Sequence, residues 1–300
     1  MSADRLKTVK PFLKWAGGKS QILNDIREKY PKELGYKIIK YAEPFLGGGA
    51  VLFDILNNYN IKQVYASDVN NELICTYKCI KDNIKGLISD LYDLEQKFLP
   101  LDYDGRKESY YQKRKRFNIL KLKKDESPEI AALFIFLNRT CFNGLYRVNA
   151  NGEFNVPMGK YRNPLICDIT NLKAISKKLK TVKFICQDFT KSLQFIDDKT
   201  FVYFDPPYRP LSASSAFTSY TKDDFNDISQ IKLAHFIDKI SNKGASILAS
   251  NSDPKNTNKN DDFFDTLYAK YNITRINASR MINAESCGRG KISELLISNY

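Results

Sequence analysis

Asp205-Pro206-Pro207-Tyr208, delivered by the apolar run Phe201-Val202-Tyr203-Phe204, has the residue types needed to activate an aromatic amine. The lone pair of an amine such as adenine N6 is delocalised into its ring, which makes the nitrogen a poor nucleophile. A carboxylate accepting one N–H and a backbone carbonyl accepting the other return density to nitrogen. They also stabilise the charge that develops as it attacks a methyl group. Asp205 supplies the first acceptor, the Pro206 carbonyl the second, and Tyr208 an aromatic face for the base. Asp-Pro-Pro is also ordinary turn chemistry. Upstream, Ala42-Glu43-Pro44-Phe45-Leu46-Gly47-Gly48-Gly49 precedes a helical pattern, and Asp68 lies nineteen residues beyond Gly49. Such a glycine turn lets the backbone approach a ligand closely, and the acid can bond two ribose hydroxyls. Pyrophosphate is not the obvious target, because neither G-x-G-x-x-G nor a complete P-loop is present. The one Gly-Gly-Lys-Ser, at 17–20, lacks the strand and upstream glycine of a phosphate cradle.

Other chemistries are disfavoured. The six cysteines are scattered at 75, 79, 141, 167, 186 and 287 with no C-x-x-C pair, and His235 is the only histidine. A metal site and a Ser-His or Cys-His nucleophile system therefore have no basis. The net charge is +13, from 47 Lys plus Arg against 34 Asp plus Glu, and this suits a phosphate-rich partner. The longest apolar run, 130–137, is well short of the roughly 18 residues of a membrane span. A polar beginning argues against a secretory signal, so a cytoplasmic protein is expected.

The elements that must position these residues follow from the pattern. Strands are expected at 37–42, 63–67, 182–186, 201–204 and 245–250, with helices between them, which implies a doubly wound α/β sheet. An antiparallel pair is expected at 272–278 and 291–299, around a loop at 287–290. Residues 113–124 carry seven basic side chains and no acid, as suits either a solvated helix face or one that meets phosphates. An apolar helix from 130 leads into an Asn/Gly/Arg-rich stretch, in which Asn151-Gly152 signals a hairpin. The expected organisation is a discontinuous catalytic domain, 1–70 and 168–300, interrupted by a helical and β-hairpin insertion, 71–167.

Several blocks together carry a resemblance. They are Lys14-Trp15-Ala16-Gly17-Gly18-Lys19, the 43–49 turn, Asn138-Arg139, Phe142-Asn143-Gly144-Leu145-Tyr146-Arg147, Gly152-Glu153-Phe154-Asn155-Val156-Pro157, Asp205–Tyr208, Pro210-Leu211-Ser212, Ala216-Phe217-Thr218 and Glu294-Leu295-Leu296. In this order they resemble the Dam-type adenine-N6 DNA methyltransferases, alpha group, over nearly the whole chain. The resemblance implies a Rossmann-like methyltransferase domain and an inserted target-recognition domain. It also implies S-adenosylmethionine as cofactor without a metal, and methylation of the adenine of GATC in duplex DNA after base flipping.

By that resemblance Asp205, Pro206 and Tyr208 are catalytic. Trp15, Lys19, Phe45, Gly47, Gly49, Asp68, Asp188, Phe189 and Asp205 match cofactor contacts, with the 188–189 match the looser one. Lys14 matches a reader of the first guanine, Arg147 a guanine-reading arginine, and Leu145 and Pro157 groups that touch a thymine methyl. Phe142 and Asn143 match side chains that fill the gap left by the flipped adenine, whereas Arg139, Asn149 and Asn155 suit phosphate contacts. Methylation of cytosine N4, of RNA adenine or of a protein glutamine amide is the nearest alternative chemistry, and an inactive DNA-binding relative the alternative of another class. The enzyme is expected to be a monomer. It would act either alone or beside a cognate restriction endonuclease for the same site.

Overall fold

The computed structural model describes residues 8–209, 225–279 and 291–300. The expected loop at 287–290 and the blocks at 210–212 and 216–218 lie outside the described residues. Seven strands form one sheet: β1 (Lys40–Glu43), β2 (Gln63–Asp68), β3 (Val182–Cys186), β4 (Thr200–Phe204), β5 (Ser246–Ser252), β6 (Asn272–Ser279) and β7 (Lys291–Ser298), in the order β3-β2-β1-β4-β5-β7-β6. The first five are parallel, and β7 is antiparallel to both β5 and β6. The doubly wound expectation is met. The order reverses between β1 and β4, and this is the point at which open α/β sheets bind ligands beyond the carboxyl ends of their strands.

Strand alternation explains why both faces are covered. Tyr41, Ala66, Phe201, Tyr203, Leu248 and Leu296 belong to one buried cluster, while Ala42, Tyr65, Val202, Phe204, Ile247, Ala249, Leu295 and Ile297 belong to another. Successive side chains of a strand point to opposite faces, so each strand contributes to two cores. Helix α1 (Leu23–Glu28) precedes β1, α2 (Ala50–Asn58) follows it, and α3 (Asn71–Asp82) follows β2. The first cluster covers residues of α2 and α3 and runs on through α4 (Ile84–Phe98), α5 (Tyr103–Leu122) and α6 (Pro128–Thr140). In α6 every residue from Ile130 to Leu137 is buried. An all-round apolar helix of this length is a core helix, and no helix among the described residues is long and apolar enough to cross a membrane. After α7 (Ile169–Lys178) the chain re-enters the sheet, and α8 (Asp227–Ser241) and α9 (Phe263–Leu267) contribute to the second cluster.

The hairpin is built differently from a pair of regular strands. Isolated antiparallel bridges join Cys141 to Met158 and Val148 to Phe154. The tip is the three-residue loop 150–152: the Gly152 N–H donates to the Asn149 carbonyl at 2.8 Å and the Asn149 N–H to the Glu153 carbonyl at 2.9 Å. Gly152 has φ +79°. This is the turn-plus-glycine closure of a three-residue hairpin.

Candidate active site and nucleic-acid interface

The glycine turn sits between β1 and the start of α2, where the Leu46 N–H donates to the Ser67 carbonyl at 3.0 Å. Asp68 braces it from the end of β2: one carboxylate oxygen accepts the Gly47 N–H and the other the Asn70 N–H, each at 3.0 Å. Burial raises the Asp68 pKa, and these backbone donors pull it back. Trp15 lies across the turn, so that a Cβ on Gly47 would come within 2.9 Å of its ring. The indole also stacks on Tyr146 with ring centroids 6.0 Å apart, tying the glycine turn to the segment before the hairpin.

Gly49 is a position at which only glycine fits. It caps α2 at φ +69°, and a Cβ there would lie 2.5 Å from the hydroxyl of Tyr77. That tyrosine is fully buried and donates to the Gly47 carbonyl at 3.2 Å, so it has nowhere to move. Gly49→Ala is expected to cost about 2 kcal/mol or more, from left-handed backbone strain plus the clash. A urea midpoint equal to wild type would refute this placement.

Phe45 stacks on Phe189 at 5.3 Å and meets Phe204 and Phe225 edge-on. Asp188, just before Phe189, is occupied by Thr190, whose N–H donates to it at 3.0 Å, and has Lys232 at 3.4 Å. Phe45, Asp68, Asp188 and Phe189 therefore come together along the carboxyl ends of β1 to β3.

Asp205 follows β4 directly across the switch point. Its Oδ1 receives the Lys19 ammonium at 2.8 Å and the Ser250 hydroxyl at 3.1 Å, while Oδ2 has no partner among the described residues. The same ammonium donates to the Tyr208 hydroxyl at 2.8 Å and to the Gly17 carbonyl at 2.9 Å, and lies 3.9 Å from Glu294 on β7. Lys19 is only 3% exposed. Burial alone would lower its pKa, but the Asp205 and Glu294 carboxylates, with Tyr208 beside them, outweigh burial and raise it. Burial pushes up the Tyr208 phenol and the Glu294 carboxyl, Lys19 opposing both. The lysine of the Gly-Gly-Lys-Ser run thus serves this carboxylate. Glu43, at the end of β1, is buried; burial raises its pKa well above the usual range, although the Tyr41 hydroxyl donates to it at 2.6 Å.

The residues that the resemblance assigns to DNA recognition gather around the hairpin. Lys14 is held by Asn138, which accepts its N–H at 2.8 Å and donates to its carbonyl at 2.7 Å and to the Gly144 carbonyl at 3.0 Å. The Lys14 ammonium sits 3.9 Å from the centre of the Tyr161 ring. Phe142 is 52% exposed, and Asn143 beside it adopts φ +53°. Leu145 is half-buried and Pro157 exposed. Arg147 is exposed, and its Nε donates to the Asn155 side chain at 2.8 Å. Asn149 spends its carboxamide inside the turn, accepting from the Asn151 and Glu153 N–H groups and donating to Glu153. Arg139 is half-buried, and burial lowers its pKa.

Three of the seven basic side chains in 113–124 are committed to partners within the chain. Arg114 donates to the Asn155 and Val156 carbonyls, Arg116 pairs with Glu129 at 2.6 Å, and Lys121 pairs with Glu72 at 2.8 Å. Part of this basic helix therefore anchors the hairpin. Sequence reasoning did not single out Ser250, Gln230 or Asn251, and took Glu294 only as part of a terminal block.

Residues 15–282 match the family described as D12 class N6 adenine-specific DNA methyltransferase. The chain is 53% identical over 294 residues to the Type II methyltransferase M.MjaIII of Methanocaldococcus jannaschii, spanning 97% of this chain and 99% of that protein. It is 37% identical to M1.LlaDCHI of Lactococcus lactis subsp. cremoris over 97% of this chain and 96% of that protein. Identity to the DNA adenine methylase of Escherichia coli K12 is 33%, over 97% and 95% of the two chains. With an Asp-Pro-Pro-Tyr turn at the sheet's switch point and matches of this length, the chain belongs to the D12 class of N6 adenine-specific DNA methyltransferases.

Proposed function

We propose that this enzyme methylates the adenine of GATC in duplex DNA, taking the base out of the helix to do so. The observation that carries the catalytic half is the Asp205 carboxylate. Lys19 and Ser250 fix Oδ1, which leaves Oδ2 as the acceptor for one N6 hydrogen. The Pro206 carbonyl accepts the other, and Tyr208 stacks on the base. An adenine inside a duplex cannot reach this turn, so the base must flip at a cost of a few kcal/mol, offset by stacking in the pocket and by Phe142 and Asn143 filling the gap.

The residues present fit S-adenosylmethionine, the methyl donor that the family implies. Phe45 and Phe189 offer apolar faces to its adenine beside Asp188, and Asp68 retains lone pairs for ribose hydroxyls. Trp15 and the glycines 47 and 49 line the turn, and Lys19 and Asp205 supply charges beside it. When bound, this group supplies a methyl on a sulfonium, and aromatic neighbours favour such a cation. Everything else is the work of the chain: it holds the amine through hydrogen bonds from both N–H groups, one of which loses its proton as the methyl arrives, and excludes water.

Specificity in this reading rests on the hairpin. Asn155 pins the Arg147 Nε and leaves the terminal nitrogens for guanine O6 and N7, while Leu145 and Pro157 suit a thymine methyl and Lys14 the first guanine. Arg139 and Asn155 would position phosphates, Asn149 closing the turn instead, and 71–167 would act as the recognition insertion. The enzyme is read as a cytoplasmic monomer, acting alone or beside a restriction endonuclease for the same site. Radiolabelled methyl transfer to duplexes bearing GATC or a one-base variant tests the assignment. Label should favour GATC strongly, and Arg147→Ala should erode discrimination at one guanine by roughly 1–3 kcal/mol. Equal labelling of both duplexes, or none, would sink it.

A further inference from the structure

Pro206 and Pro207 have no N–H, so the catalytic turn cannot be closed by its own backbone donors at those positions. It must be held through its carbonyls. Gln230 on α8 does this: it is fully buried, and its Nε2 donates to the Pro207 carbonyl at 3.2 Å. Asn251 on β5, 2% exposed, donates in turn to the Gln230 Oε1 at 3.1 Å. The Asn251 Oδ1 is already taken by the Ser252 N–H at 2.9 Å. The relay therefore has one direction. A backbone N–H fixes the Asn251 amide, Asn251 fixes the Gln230 amide, and Gln230 must present its NH2 to the turn.

Two buried carboxamides in a hydrophobic layer are costly unless each is satisfied. Here the chain of bonds ends on the one backbone segment whose angle decides whether Asp205 and the Pro206 carbonyl converge on the same amine. Lys19 and Ser250 hold the turn from the other side, at Asp205. With Pro207 captured by Gln230, the Pro206 carbonyl is left for substrate.

We infer that Gln230, oriented by Asn251, is a positioning residue for methyl transfer: it sets the angle at which the Pro206 carbonyl and the Asp205 carboxylate meet the target amine. This rests on the reading of that turn as the amine-activating site.

The test uses the full-length enzyme and GATC duplexes. Gln230→Met keeps the volume and removes the donor; Asn251→Leu removes the orienting partner and leaves Gln230 free to turn over. Gln230→Met should lower kcat by about 10- to 100-fold, the scale of a small misplacement of reacting groups. KM for the duplex and the Kd for S-adenosylmethionine, measured by calorimetric titration, should stay within about threefold of wild type. Asn251→Leu should lower kcat in the same sense, and should add little in the Gln230→Met background, since the two act through one bond.

An unchanged kcat in Gln230→Met would overturn the inference. So would parallel losses of kcat and cofactor affinity, which would indicate a merely structural pair, or additive effects in the double variant. If Gln230→Met does not fold, the kcat and cofactor Kd of Asn251→Leu decide by the same criteria. Failure of the wild-type enzyme to label GATC would instead overturn the functional reading, and is scored separately.

Discussion

Asp205→Ala is expected to abolish methyl transfer while duplex binding survives. In the proposed reading the carboxylate does not hold the target strand; it stabilises positive charge that appears on the amine only as the methyl is taken. Groups of this kind lower the barrier without adding much ground-state affinity. Removing one such preorganised acceptor costs about 10²- to 10³-fold, and loss of a full charge belongs at the upper end. Asp205→Asn is the sharper version, because it keeps the shape and one oxygen but loses the charge. The Lys19 ammonium would then retain Glu294, Tyr208 and the Gly17 carbonyl as partners, so the turn need not collapse. Single-turnover transfer and duplex binding by fluorescence anisotropy separate the two effects. Turnover within tenfold of wild type in either variant would remove the carboxylate from the mechanism.

The strands that carry this chemistry were legible because each is a short β-prone run between turn signals. β2 and β3 begin where expected, and α2 begins at Ala50. β1 begins at Lys40 rather than 37, because the chain before it is still turning: the Gly35 N–H donates to the Ile38 carbonyl and a bridge joins Leu34 to Ile38. The far end of β5 misleads in the opposite way. Asn251-Ser252, beyond the expected end at 250, has the composition of a loop, yet it is buried strand. The Ser250 hydroxyl donates to Asp205, and Asn251 serves both Gln230 and the Ser252 N–H; none of these pairings has a local sequence signature. Glu294 is opaque for the same reason. It lies 89 residues from Asp205 in sequence and meets Lys19 only because β7 folds back against β5. Residue type and spacing reveal groups that touch substrate; those that hold such groups in place come from wherever the sheet topology brings them.

Lys19→Met should cost both activity and stability, and the two should respond differently to a second change. The variant keeps the apolar stem and deletes the one cation that pairs with Asp205 and Glu294 among the described residues. Breaking a buried pair by removing one partner costs about 3–5 kcal/mol; Asp205 is about one-fifth exposed, which places the expectation toward the lower end. Its pH dependence has a definite sign. Burial already holds the Glu294 carboxyl above its ordinary value of 4.5, with Lys19 pulling it back down. Without Lys19 it rises further, so the folded state keeps a proton that the unfolded state releases. A group whose folded pKa is raised stabilises fully below its unfolded pKa, and that contribution fades as pH climbs through the folded value. The deficit of Lys19→Met relative to wild type should therefore be smallest near pH 4.5 and grow toward neutrality. Glu294→Gln, added to Lys19→Met, removes the second carboxylate and should recover much of the stability at neutral pH. It should not recover kcat, because neither Oδ1 of Asp205 nor the Tyr208 hydroxyl regains its donor. Urea unfolding at pH 5 and pH 8 with single-turnover rates provides the check. Equal deficits at both pH values would show that Lys19 does not act by neutralising this pair, and recovery of kcat in the double variant would show that its bonds to Asp205 and Tyr208 are not what align them.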